Sequence, residues 1–98
     1  MQRGTTQTLT FTLPEEIDIA ELYITFNQNK GTVLEKSKSD ASIDGKTIAV
    51  NLSQEDTLKF DDKAGMKIQL RIRDKSGNAI ASDYIYTRVG GILKEGVI

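Results

Sequence analysis

One stretch of the sequence alternates between apolar and polar residues without a single error. From Met66 to Arg73, every even-numbered residue is Met, Ile or Leu, and every odd-numbered residue is Lys, Gln or Arg. A period of two residues is the spacing of a β-strand that buries one face and exposes the other. No segment carries a sustained period of 3.6 residues, so the pattern predicts an all-β fold and excludes a helical bundle.

The same alternation, separated by turn residues, predicts about seven strands. Asn27–Gly31 carries the Asn and Gly residues of a tight turn, which predicts a hairpin between its flanking strands. The dipeptide Asp44-Gly45 predicts a second hairpin, with a type I′ turn that places both residues at positive φ. The predicted strands are Thr5–Leu13, residues 22–27, 32–37, 41–43, 46–52 and 66–73, and a last long strand from Ala79 to about Val89.

A short helical turn is predicted near residues 53–60, because Ser53 can cap the free N–H groups of a helix that has Glu55 and Asp56 in its first turn. Its length suits a connector that carries Leu58 and Phe60 inward. The whole pattern predicts a single antiparallel β-sandwich of immunoglobulin-like arrangement over residues 1–90, followed by an apolar tail at 91–98. Strand order stays open, and an open barrel remains the alternative.

Composition argues against several functions. Thirteen basic and fourteen acidic residues give a net charge of −1, which disfavours nucleic-acid binding. The chain contains no His and no Cys, so we expect no enzyme, cofactor or metal site. Two charged clusters are interpreted as solvated surface: Asp61-Asp62 in a loop, and Lys67, Arg71 and Arg73 on one strand, where Glu35 or Asp83 can balance them. No apolar run is long enough for a signal segment or a membrane span.

The last predicted strand differs from the others because both of its faces are partly apolar. Ile80, Tyr84 and Tyr86 share one parity, and Ala81, Ile85 and Val89 share the other. We interpret this pattern as a strand that packs on its own core and also meets a neighbouring protein, with the aliphatic tail adding to the contact. The predicted partner-binding residues are Ile85, Val89, Ile92, Leu93, Val97 and Ile98.

An alternative interpretation concerns the two tyrosines of that strand. Tyr84 and Tyr86 lie two residues apart and therefore share a face, where their rings could stack on a sugar. This reading predicts a small carbohydrate-binding or adhesion module. An enzyme is a third possibility that would require an unexpected pocket with a pair of buried carboxylates.

Four runs of the chain carry a family resemblance: Met1–Thr6, Leu9–Pro14, Leu52–Leu58 and Gly91–Ile98. They resemble short uncharacterised phage and prophage proteins of gut Firmicutes, which are similar to tail- and baseplate-associated immunoglobulin-like sandwiches. The resemblance implies a non-enzymatic structural or assembly protein. It implies contacts with other phage structural proteins or with a second copy of the chain. The charge balance and the lack of a long apolar run predict neither nucleic acid nor membrane as partners. The expected location is the bacterial cytoplasm during synthesis, and then the virion for a structural component.

Overall fold

The computed structural model describes residues 1–29 and 31–98, so Lys30, inside the first predicted turn, lies outside the described residues. Strands and one α-helix follow each other along the chain, with a 3₁₀ turn at Lys38–Asp40. The elements are β1 (Gln7–Thr12), β2 (Ile19–Gln28), β3 (Gly31–Ser37), β4 (Ala41–Asp44), β5 (Thr47–Leu52), α1 (Gln54–Leu58), β6 (Met66–Asp74), β7 (Ala79–Ala81) and β8 (Ile85–Thr87).

The strands form two antiparallel sheets. One sheet has the order β1-β5-β4, and the other has the order β3-β2-β6, with both β7 and β8 paired to the far edge of β6. In immunoglobulin nomenclature, β1, β5 and β4 take the places of strands B, E and D, while β3, β2, β6 and β7–β8 take those of C′, C, F and G. The predicted immunoglobulin-like sandwich is therefore confirmed, and the strands form two separate sheets rather than the single curled sheet of the open barrel that was the alternative.

The core lies between the two sheets and is built from the alternating positions that the sequence predicted. Phe26 is fully buried and its ring stacks on that of Phe60, with 5.7 Å between the centroids. Burying a large aliphatic or aromatic side chain contributes about 1.5–3 kcal/mol, so this cluster dominates the stability. Its central members are Leu22, Ile24 and Phe26 of β2, Ile48, Val50 and Leu52 of β5, and Ile68, Leu70 and Ile72 of β6.

The short helix α1 begins as the sequence predicted. The Asp56 N–H donates to the Ser53 hydroxyl at 3.1 Å, and the Asp56 carboxylate accepts from the Ser53 N–H at 2.9 Å. This reciprocal capping box satisfies two backbone donors at the helix start. The helix ends after five residues, and Phe60 just beyond it is buried.

Both predicted hairpins are present, but the turn of the second differs from the prediction. Asp44 pairs with Thr47, so the two central residues are Gly45 and Lys46 rather than Asp44 and Gly45. Gly45 has a φ of +59°, whereas Lys46 is not among the residues of positive φ. A positive φ at the first central residue alone is typical of a type II′ turn, which also suits the twist of a hairpin.

The last strand is not continuous, which corrects the prediction of one strand from Ala79 to Val89. Ser82 interrupts it: its N–H donates to the Leu70 carbonyl, and its hydroxyl accepts from the Leu70 N–H. Ile80 of β7 lies opposite Ile72 of β6, and Ile85 of β8 lies opposite Ile68 of β6. The β7–β8 side therefore has one residue more than β6 between the two pairings. This bulge reverses the parity of the strand. The two-faced apolar pattern therefore reflects a shift of phase within one edge strand.

Candidate functional site

The six predicted partner-binding residues lie in four different surroundings. Val89 is 5% exposed and belongs to the core, so it offers no surface to a partner. Ile92 is half-buried, with its side chain beside Gly4. Ile85 is 39% exposed and lines a groove between the sheets. The other three, Leu93, Val97 and Ile98, are exposed at one end of the sandwich.

That end of the sandwich is covered by the chain itself, and we call it the capped end: residues 1–5, α1, residues 59–65 and residues 91–98. Arg3 connects these segments. Its guanidinium donates to the carbonyls of Phe60 at 2.7 Å and Leu58 at 3.1 Å, and it forms an ion pair with Glu95 at 2.8 Å. The backbone of Ile98 exchanges two hydrogen bonds with the Gln54 amide. The tail is thus tied to its own domain.

A buried amide holds the loop of the capped end. Gln28 is 4% exposed, and its side chain donates to the carbonyls of Asp61 and Ala64 and accepts from the Asp61 N–H. Thr57, also fully buried, donates its hydroxyl to the Thr5 carbonyl at 2.7 Å. Each buried polar side chain among the described residues has a hydrogen-bond partner, so the capped end is a satisfied polar network rather than an open site.

The open side of the sandwich carries a different surface, which we call the β1–β8 groove. It has a volume of about 550 Å³ and lies where β1 of one sheet faces β8 of the other. No lining side chain is charged. The lining residues are Met1, Leu9, Thr10, Phe11, Thr12, Leu13, Pro14, Ile68, Leu70, Ser82, Ile85, Tyr86 and Thr87. Leu9, Phe11 and Leu13 are only half-buried there.

Strand β1 forms one rim of this groove, and within residues 1–29 and 31–98 it pairs with one strand, β5. The Leu13 N–H donates to the Lys46 carbonyl at 2.8 Å, in the same register that pairs Phe11 with Ile48. Hydrogen-bonded and non-bonded pairs alternate along an antiparallel ladder. The backbone N–H and C=O groups of Thr8, Thr10 and Thr12 therefore point away from β5, toward the unpaired edge.

Sequence reasoning missed the β1–β8 groove, because β1 and β8 are more than seventy residues apart in the chain and belong to different sheets. One signal was present: no residue from Gly4 to Pro14 is charged. Natural edge strands commonly carry charges that prevent pairing with other chains, so the absence of charge indicates that this edge can pair with another strand.

The two tyrosines share a face, as predicted, on the outer surface of the five-stranded sheet. Tyr84 is 53% and Tyr86 70% exposed, and their rings stand at 86° with 6.4 Å between centroids. The Lys67 ammonium lies 5.2 Å from the centre of the Tyr84 ring. Perpendicular rings do not make one flat platform. A polar cleft of about 310 Å³ lies beside Tyr84, lined also by Thr25, Asn27, Lys67 and Gln69.

The charged residues of this face pair differently from the prediction. Arg73 lies 3.7 Å from Glu21, and neither Glu35 nor Asp83 forms an ion pair among the described residues. A closer ion pair joins Lys36 of β3 to Asp56 of α1 at 2.8 Å. Burial acts to raise the pKa of Asp56, but the hydrogen bond from Lys36, those from Ser53 and the Lys36 charge outweigh it, so the pKa is lowered.

Within residues 1–29 and 31–98, no group of three or more acidic, His or Cys side chains is arranged to hold a metal ion. In the same ranges, no helix has the length and apolar character needed to cross a membrane.

Comparison with known proteins gives one structural likeness. No protein-family model and no curated protein sequence matches the chain. Among solved structures, the chain is similar to the V domain of amphioxus IgVJ-C2, with 10% sequence identity and a TM-score of 0.40, over 94% of this chain and 97% of that one.

Proposed function

We propose that this chain is a non-enzymatic structural or assembly protein that acts through protein–protein contacts made at the β1–β8 groove. The observation that carries the proposal is the groove itself, an uncharged apolar surface at the junction of two sheet edges. Apolar surfaces of this kind, in which charged residues are depleted, are typical of the central part of protein interfaces. Of the residues predicted from sequence for partner binding, Ile85 lies in this groove.

The assembly that we propose is a phage or prophage particle, at its tail or baseplate. The sequence resemblance described above supports this part of the proposal. The chain also lacks His and Cys, the residues that most often supply proton transfer or nucleophilic attack near neutral pH, which supports a role without catalysis.

The experiment that tests the proposal follows the protein into particles. Particles are induced in the bacterial strain that encodes the chain, purified by density gradient and probed with an antibody, with and without deletion of the gene. We expect a fixed copy number per particle, or, for an assembly factor, defective particles after deletion. The proposal is wrong if the protein is absent from particles and deletion changes neither their yield nor their infectivity.

Two matched substitutions locate the contact. Ile85 and Ile43 are both aliphatic edge-strand residues, 39% and 36% exposed, but only Ile85 lines the groove. An Ile85→Asp variant places a charge on the apolar surface, and we expect its incorporation or its rescue of the deletion to fall about tenfold. An Ile43→Asp variant should behave like the unmodified protein. Equal losses in both variants would contradict the assignment to the groove.

A second candidate function is glycan binding by the cleft beside Tyr84. The observation that favours it is the exposed aromatic ring next to amide, hydroxyl and ammonium groups, which together can bind a sugar's apolar face and hydroxyls. A glycan array probed with the native chain and with Tyr84→Ala tests it. Binding that disappears with Tyr84→Ala would support this function, and an array without binding by the native chain would exclude it.

A further inference from the structure

The four sheet edges are protected to different degrees. The β3 edge carries Glu35 and Lys36, the β4 edge is only four residues long, and the β7–β8 edge is broken by the bulge at Ser82. Each of these features hinders pairing with another strand. The β1 edge has six residues in regular register with β5 and no charge from Gly4 to Pro14. It is the edge best suited to accept a strand.

We infer that a second copy of this chain pairs with this edge, β1 against β1, in an antiparallel arrangement. The twofold axis is perpendicular to the sheet and passes midway between Thr10 and the Thr10 of the second copy. The inference rests on the proposed function, because it names the partner at one rim of the β1–β8 groove. The result is a continuous six-stranded sheet of order β4-β5-β1-β1-β5-β4. A twofold axis of this kind makes the contact isologous, so the same surface serves both copies and the assembly closes as a dimer.

The register follows from which backbone groups are free. The outward N–H and C=O groups of β1 belong to Thr8, Thr10 and Thr12. With the axis midway between the two copies of Thr10, Thr10 lies opposite the Thr10 of the second copy, and Thr8 of each copy lies opposite Thr12 of the other. All three outward-facing residues of the strand then form hydrogen-bonded pairs with one another. Shifting the register by two residues would leave Thr12 opposite Thr6, which lies outside the strand.

The side chains are complementary to themselves in this register. On the outer face, threonine lies opposite threonine in each pair, and such cross-strand pairs are favourable. On the inner face, Leu9 lies opposite Phe11, and both are half-buried groove residues. Since β1 carries no charge, a second copy meets no like charge, whereas a charged strand would lose its hydration against an uncharged partner.

The pairing also accounts for the apolar groove. Two strands in one sheet turn their inner faces to the same side, so the grooves of the two copies lie side by side along the new contact. Leu9 and Phe11 of one copy then extend the apolar surface that Ile68 and Ile85 begin in the other. A surface that would stay in contact with water in one copy becomes the centre of the dimer.

Two double variants that differ in the sign of one charge test the inference. In the proposed register, Thr8→Lys/Thr12→Lys places Lys opposite Lys twice, and Thr8→Lys/Thr12→Glu places Lys opposite Glu twice. Both variants lose the hydrogen bond from the Thr8 hydroxyl to Asn51 equally. Residues 8 and 12 face solvent in the monomer, so both variants should fold like the native chain, which circular dichroism and urea unfolding verify.

Sedimentation velocity over a range of concentrations measures the dimer dissociation constant. We expect the native chain to dimerise, the Lys/Lys variant to raise the dissociation constant at least about tenfold at low salt, and the Lys/Glu variant to stay within about threefold of native. Added salt should reduce the difference between the dissociation constants of the two variants, because it screens the charges. A native chain that remains monomeric at about millimolar concentration, or two variants with equal constants, would overturn the inference.

Failure of this inference is distinguishable from failure of the proposed function. A monomeric chain that enters particles and depends on Ile85 would exclude the β1–β1 dimer and leave the proposed function standing. A dimer with the predicted charge dependence, absent from particles and without effect when deleted, would support the dimer and contradict the structural role.

Discussion

The capped end and the open side of this sandwich differ in how their backbone polar groups are treated: they are hydrogen-bonded at the capped end and left free along the open side. At the capped end, Arg3, Gln28 and Thr57 satisfy the carbonyl and N–H groups of loops that would otherwise be left unpaired. Along the open side, β1 keeps an edge of free backbone groups above an apolar groove. The difference teaches that polar side chains at the capped end serve stability, whereas the uncharged residues of the open side are available for contact.

This division predicts a separation of effects. Substitutions of Arg3, Gln28 or Thr57 should lower the free energy of unfolding without changing association, since none of these three residues lines the β1–β8 groove. Substitutions on the outer face of β1 should do the reverse, since their side chains point into solvent.

The largest loss of stability is expected from Gln28→Leu. The variant removes three partly buried hydrogen bonds and leaves the Asp61 N–H facing an apolar side chain at the buried position 28, which should cost about 2 kcal/mol and lower the Tm by about 10 °C. Urea unfolding measures the change, and sedimentation should show unaltered association. Gln69→Leu, which removes a single bond to Ser82, is the matched control. A loss in Gln28→Leu no greater than in the control would contradict the role assigned to this amide.

A smaller and pH-dependent effect is expected from Asp56→Asn. Because the folded-state pKa of Asp56 lies below its ordinary value of 3.8, the ionised carboxylate stabilises the fold above that value. This contribution is lost as the pH falls through the folded-state pKa. We expect the variant to be about 1 kcal/mol less stable at pH 7, with the difference shrinking toward pH 3. Urea unfolding at both pH values measures it.

The exposed neighbour Glu55 provides the control for that prediction, since Glu55→Gln lies on the same helical turn but outside the contact with Lys36. Its effect should be small, because the Glu55 side chain forms no ion pair among the described residues. A constant difference between Asp56→Asn and the native chain from pH 7 to pH 3 would show that the carboxylate charge does not contribute.

The smallest effect is expected from removing residues 91–98. The deletion loses the exposed Arg3–Glu95 ion pair, the exposed Gln54–Ile98 hydrogen bonds and the packing of the half-buried Ile92, so the fold should persist with a loss of about 1 kcal/mol. Light scattering after size exclusion should give the same association as the full chain, because the tail lies at the capped end.

A variant with Leu93, Val97 and Ile98 all changed to Ser keeps the tail's length and removes only its apolar side chains. If either variant loses an oligomer that the native chain forms, the contact lies in the tail, as the sequence first suggested, and the comparison between the two regions is wrong.

Local patterns predicted the fold well. The alternation in Met66–Arg73, the cap at Ser53 and the turn residues around Asp44-Gly45 depend on neighbouring residues, and the structure contains the corresponding strand, helix and hairpin. The exact turn was missed because Asp-Gly can supply either both central residues or only the last strand residue and the first turn residue.

The candidate site could not be found in the same way. At the bulge, the Leu70 N–H donates to the Ser82 hydroxyl instead of to a backbone carbonyl of the edge strand. Nothing in the sequence around Ser82 specifies this replacement. Val89 was predicted to be a contact residue because the parity of the strand was read without the bulge. The β1–β8 groove depends on strand order, which the pattern of short strands leaves undetermined.

Because β1 pairs with β5, β1 stays unpaired for some time during translation. Leu9 pairs with Val50, so β1 is made about forty residues before the strand that pairs with it. At 5–20 residues per second, that interval is about 2–8 s. Throughout it, an uncharged strand rich in Thr, Leu and Phe has both edges free. Newly made chains on one messenger are close together, so polysomes are the setting in which this strand is most exposed to pairing with its own copies.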